Sequence, residues 1–176
     1  MAGSLILLDS VTASSDATVT LGTTNWDNSY DVYMVVFDDV TPATDDVKMS
    51  MRFNKTADNS VDSSSNYDYG EKLIKTYNAF ENNSGTNGTK FTLMGQELGT
   101  GTGETANGVM YLFNFNNASE YSSYTVEMTC LDDSAHLHGT QGGGVLTVDQ
   151  ATNGVTFLMG SGNIASGQFR LYGLNK

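Results

Sequence analysis

Two histidines one residue apart, His136-Leu137-His138, have the most metal-like spacing in the chain. Residues i and i+2 of a strand point to the same face, so both imidazoles are able to converge. A closed zinc site takes about four ligands, and Asp132 and Asp133 are the nearest carboxylates. A solvent-exposed strand or loop is therefore the expectation here, ahead of a metal. The acidic pairs Asp38-Asp39 and Asp45-Asp46 bracket the single proline, Pro42, and offer oxygens of the kind calcium takes. They lack the ordered D-x-D-x-D-G spacing of a dedicated loop, which favours solvated turn chemistry.

Catalytic readings are weaker. The run GTGTGE, Gly99 to Glu104, resembles a phosphate-cradling loop but has no basic residue, and strand pattern rather than a helix follows it. Glu71, Glu97, Glu104 and Glu120 supply carboxylates for sugar hydrolysis, yet nothing in the sequence sets a separation between any two. Cys130 alternates with Val126 and Met128 towards a core, which argues against its pairing with His136 or His138 as a nucleophile. No catalytic, cofactor-binding or metal-binding residue is assigned, no cofactor is expected, and the chain reads as a non-enzyme.

Charge narrows the partners. The 176 residues carry 20 acidic and 8 basic side chains, a formal net charge of −12. Scattered lysines and arginines make no patch able to neutralise a phosphate backbone or an anionic membrane surface, so neither nucleic acid nor membrane is expected. One cysteine excludes an intrachain disulfide. MAGSLILLDSV has no basic region, and its apolar run Leu5–Leu8 is too short for a signal peptide or a spanning helix.

These side chains must be positioned by strands, because period-2 alternation recurs throughout and no long window has helical period. Tyr30, Val32, Met34 and Val36 form one face of a run whose other face is Tyr33, Val35 and Phe37. A strand apolar on both faces lies deep in a sheet or against a partner subunit. The next run sets Val47, Met49, Met51 and Phe53 against Lys48, Ser50, Arg52 and Asn54. The connection DDVTPATDD between these neighbouring strands is too long for a two-residue turn and suits a crossing between sheets. The stretch from Lys55 to Lys90 is the least regular, with NNSGTNG separating two strand signals. Further on, GTQGGG reads as a turn, and VLTVDQ-ATNG-VTFLMG as a hairpin. Seven internal methionines, Met34, Met49, Met51, Met94, Met110, Met128 and Met159, fall on apolar faces and read as core packing. The pattern predicts an all-β, antiparallel β-sandwich of jelly-roll type with about nine or ten strands, one domain over residues 1–176.

Two segments carry a resemblance: YDVYMVVFDDVTPATDDVKMSMRF, from Tyr30 to Phe53, and the terminal SGNIASGQFRLYGL. They are similar to a family of short, mostly uncharacterised virion structural proteins of tailed bacteriophages. Its features are a Tyr-x-x-Tyr strand, an x-Pro-Ala-Thr-Asp connection and a G-N-x-A-S-G-x-x-R-L-Y-G strand. The similarity touches both ends and fades between Thr56 and Gly108. It implies a β-sandwich structural protein and no catalytic residue.

With the acidic charge and the lack of a shaft-like segment, the leading expectation is a capsid decoration (cement) protein. It would form a homotrimer on the outer capsid surface, bound to the major capsid protein. The alternative is a tail- or fibre-associated module binding a host glycan or another virion protein. Its surface would be the loops Asn82–Thr89 and Gly99–Asn107 with Tyr67, Tyr69 and Tyr77. Tyr33, Val35 and Phe37 are expected under a covering segment or at a subunit contact.

Overall fold

The structure is a computed structural model that describes residues 4–174 except 133. Alternating apolar and polar residues form twelve strands: β1 Leu5–Asp16, β2 Val19–Gly22, β3 Val32–Pro42, β4 Met49–Lys55, β5 Tyr67–Lys75, β6 Glu81–Gly88, β7 Phe91–Thr92, β8 Ala106–Phe113, β9 Ser123–Leu131, β10 Leu137–Leu146, β11 Thr152–Met159 and β12 Ile164–Leu174. A 3-10 turn, Thr23–Asn25, follows β2. Among the described residues no helix is long and apolar enough to cross a membrane.

The strands form an eight-stranded sheet, in the order β1-β12-β3-β8-β9-β10-β5-β6, and a four-stranded sheet, β2-β11-β4-β7. The antiparallel pairs β1·β12, β2·β11, β3·β8 and β4·β7 are nested, as if one long hairpin had been rolled over on itself. That is the jelly-roll arrangement of two interlocked Greek keys. The β5–β6 and β9–β10 hairpins are insertions that widen the large sheet.

Two of the four nested pairs, β1·β12 and β3·β8, lie in the large sheet and the other two in the small one. The chain therefore crosses the core between β3 and β4, and the two apolar runs around Pro42 stack face to face instead of pairing. Pro42 itself closes β3 opposite Ile164.

The strand count differs from the sequence expectation for a physical reason. Strand β6, ENNSGTNG, has no apolar alternation because it is an edge strand bonded only to β5, with mostly exposed side chains. Polar edges protect a sheet from further pairing. Strand β7 is only two residues long.

The glycine run Gly142–Gly144 is not a turn but part of β10. A Cβ at Gly142 would lie 2.6 Å from the Glu71 Cβ, and one at Gly144 would lie 2.7 Å from the Tyr124 ring. Glycine here permits close packing within a strand. The expected hairpin between VLTVDQ and VTFLMG is also absent, since β10 and β11 belong to different sheets and Asn153-Gly154 lies within β11.

The core fills the space between the sheets. Phe37, Phe157 and Phe169 pack together with ring centroids 5.1–6.4 Å apart. Phe53, Phe91, Tyr67 and Tyr124 make a second aromatic group. Tyr67 carries a polar end into this apolar layer, and its hydroxyl donates to the Asp62 carbonyl at 2.8 Å and accepts from the Phe53 amide at 3.2 Å. Burial raises its pKa, so the phenol stays protonated and can make both bonds. Tyr67→Phe keeps the ring and strands a buried amide; urea unfolding is expected to show a loss of about 1–3 kcal/mol. A change below a few tenths would mean the hydroxyl holds nothing.

Candidate functional site

Strands β9 and β10 are joined by residues 132–136, and this turn carries the densest group of titratable side chains. Asp132 is its centre. One carboxylate oxygen, Oδ1, accepts from the backbone amides of Ser134 and His136 at 3.0 and 2.8 Å. The other, Oδ2, meets His138 Nε2 at 2.9 Å and His136 Nδ1 at 3.3 Å. Asp133 lies outside the described residues.

Pairing register puts Cys130, His138 and Lys75 side by side on the inner face of the large sheet. Lys75 Nζ donates to Glu81 Oε2 at 2.7 Å. The Tyr77 ring lies against His136 at 4.2 Å between centroids.

The histidine spacing thus does bring both imidazoles together, but onto a carboxylate. Among the described residues no group of three or more His, Cys, Asp or Glu is arranged to hold a metal ion. His138 is 1% exposed, not the solvent-facing residue expected, and His136 remains the outer member of the pair. His138 Nδ1 is buried with no hydrogen-bond partner among the described residues. Cys130 adjoins this dyad, yet burial pushes its thiol up to about 12, so it is no thiolate nucleophile at neutral pH. The arrangement ties down a turn.

The remaining candidates are dispersed. Asp38 meets Arg170 at 3.3 Å. Asp39 sits at a β-bulge with φ +52°, its amide bonded to Asn107. Asp45 accepts from the Thr100 amide at 3.0 Å, and Asp46 has φ +58°. Glu104 folds back on its own loop to accept from the Gly101 amide at 2.6 Å. Glu97 pairs with Lys48 at 3.3 Å, and Glu120 lines a shallow surface hollow with Tyr121. Glu71 is buried beside Gly95 and accepts from Asn83 at 2.6 Å. Of the tyrosines proposed for sugar contact, Tyr67 is buried, Tyr69 packs on Gly85, and Tyr77 covers His136.

Tyr33, Val35 and Phe37 have no exposed surface. Their cover is this chain's own small sheet and the segments beside it, with Phe157 packed on Phe37 and Trp26, Tyr30 and Phe115 on Tyr33, so they are not available to a second subunit. The accessible apolar row of β3 is its other one, Val32, Met34 and Val36, each half-buried. Met34 is accordingly the one internal methionine outside the core cluster.

Register extends this row across the outer face of the large sheet. One line of neighbours runs Leu7, Tyr172, Met34, Tyr111, Thr125, Gly143, and the next runs Ser10, Arg170, Val36, Val109, Glu127, Gln141. From β1 to β10 Arg170 and Glu127 are the charged residues of these lines, and Lys72 continues the second line on β5. Over β8–β10 the face sinks into two adjoining hollows of about 650 and 440 Å³ that share Val109, Glu127 and Gln141. Gly139 and Gly143 point outward from β10 and leave gaps on either side of Gln141, which bonds Glu127.

No family model and no curated protein matches the chain. Among solved structures it is similar to a fructofuranosidase from Schwanniomyces occidentalis complexed with fructosylnystose. Identity is 6% and the TM-score 0.25, over 98% of this chain and 34% of that enzyme. The chain spans about a third of that protein's length, and a likeness this slight carries no functional argument.

Two buried carboxyls give opposite pH signatures. Burial alone would raise Asp132, but the His136 amide, His138 and the Ser134 amide outweigh it and hold the group below its usual 3.8. Its stabilisation is complete above that value and fades as pH falls below it. Asp132→Asn is expected to cost about 1–3 kcal/mol at neutral pH, with the gap closing in acid.

Glu71 is pushed up to about 7 by burial, partly offset by the Asn83 hydrogen bond. Folding therefore favours its protonated form, and stability is lost as pH rises from about 4.5 through about 7. Glu71→Gln should match the parent protein in acid and exceed it by up to about 3 kcal/mol in mild alkali. Urea unfolding across pH measures both, and parallel curves for Glu71→Gln and the parent would show that the buried carboxyl does not titrate there.

Proposed function

We propose that the chain is a non-enzymatic structural protein of a tailed-bacteriophage virion, a capsid decoration protein bound outside the shell. The observation that supports this reading most is the outer face of the large sheet. Large exposed apolar patches on soluble proteins mark interaction surfaces. Here the two central lines hold one cation and one anion from β1 to β10, with Lys72 next in line on β5, on a chain whose net charge is −12. Most carboxylates lie outside these lines, and a nearly neutral face is left for contact with protein. The resemblance of Tyr30–Phe53 and of the terminal strand to virion structural proteins supports the same reading. So does the use of Asp132, His136, His138, Glu97 and Glu104 in holding turns and strands, which is the economy of a scaffold.

Quantitative mass spectrometry of purified virions tests it. Hundreds of copies per particle are expected for a protein that covers the shell. A count near a dozen would overturn decoration and move the protein to the tail.

A further inference from the structure

The outer face of the large sheet has a relief that fits its own copy. From β1 to β8 it is a ridge of Leu7, Tyr172, Met34 and Tyr111; over β9 and β10 it falls to threonine and outward glycines. We infer that this face binds a second copy of the chain, with a two-fold axis parallel to the strands, between β3 and β8. The inference takes from the proposed function only that this face makes protein contacts, and it names the partner.

The symmetry operation can be followed on the register. It keeps each line of residues opposite itself and exchanges β3 with β8, β12 with β9, and β1 with β10. Val36 then meets the partner's Val109, and Met34 meets the partner's Tyr111, a sulfur–aromatic contact. Leu7 stands over the partner's Gly143, a large side chain over a position that has none. Arg170, which meets Asp38 within its own chain, stands over the partner's Glu127, so these two opposite charges face each other twice across the axis.

An isologous interface needs this self-complementarity. Stacked sheets pack about 10 Å apart, within the reach of an arginine. The six strands from β1 to β10, at about 4.8 Å spacing, and three rows of outward residues, the third holding Leu5, Leu174, Val32, Phe113, Ser123 and Val145, give roughly 600 Å² in projection. Side-chain relief raises the accessible area towards the roughly 800 Å² per partner of a standard interface.

Within the chain Arg170 meets Asp38 and Glu127 accepts from Gln141, so recovery by the double variant is the readout that isolates the pairing across the axis. Arg170 and Glu127 lie on β12 and β9, three strands apart in one chain, a separation of roughly 14 Å. They do not pair within a monomer.

Sedimentation of the full chain at tens of micromolar is expected to give a dimer. Arg170→Glu and Glu127→Arg should each weaken it at least tenfold, and the double variant should regain it. A monomeric or trimeric parent, single reversals without effect, or a double variant that stays monomeric would each overturn the inference.

Cross-linking keeps the test open if a reversal fails to fold. Tyr172→Cys chains mixed with Thr125→Cys chains should be joined by a bis-maleimide of about 10 Å reach, matched to the sheet spacing, and neither variant alone should. Cys130 is buried and does not compete. Absence of the mixed cross-link would also overturn the inference. If the parent is monomeric but binds isolated capsid shells, and Met34→Glu abolishes that binding, the occupant is the shell. That outcome overturns the second copy and leaves decoration standing.

Discussion

A β-strand has two faces, and β3 is apolar on both. Tyr33, Val35 and Phe37 cannot turn inward without sending Val32, Met34 and Val36 outward, because successive side chains alternate. The small sheet and the loops around it cover only one side of the large sheet. Everything distinctive about the surface follows from that mismatch: the core claims the aromatic row, and the aliphatic row of β3 is continued by β1, β12 and β8 into a face without enough polar residues to be at home in water.

Much of this architecture is visible in the sequence. The alternation in VYMVVF, MSMRF and SYTVEMTCL marks strands wherever one face is buried, and the long connection around Pro42 marks a crossing between sheets. The pattern fails where its physical basis fails. Strand β6 buries almost nothing, so ENNSGTNG has no period to detect. Strand β10 uses glycine because Glu71 and Tyr124 press against it, and close approach of a neighbour leaves no trace in local sequence.

Sidedness is hidden for a related reason. Periodicity reports that two rows exist on β3, but not which row the second sheet will cover, so for Tyr33, Val35 and Phe37 it leaves a covering segment and a subunit contact as alternatives. The histidine cluster was half visible. Spacing groups His136 with His138 and places Asp132 nearby, whereas Tyr77 and Lys75 arrive from β5 and the segment after it, far away in the chain. Their partnership is a product of strand order.

The nested pairing has a consequence for how the chain reaches this state. Leu5 pairs with Leu174, so the outermost pair closes a loop that spans almost the whole described chain, while β8, β9 and β10 close short ones. Loop closure costs entropy before distant contacts can repay it, and topologies dominated by non-local strand pairs fold over milliseconds to seconds. During synthesis β1 emerges first and its partner β12 last. Throughout that interval Leu5, Ile6 and Leu7 are part of an unpaired, apolar strand edge, the kind of surface through which nascent β-proteins aggregate. The same residues that shape the outer face therefore make the unfinished chain vulnerable.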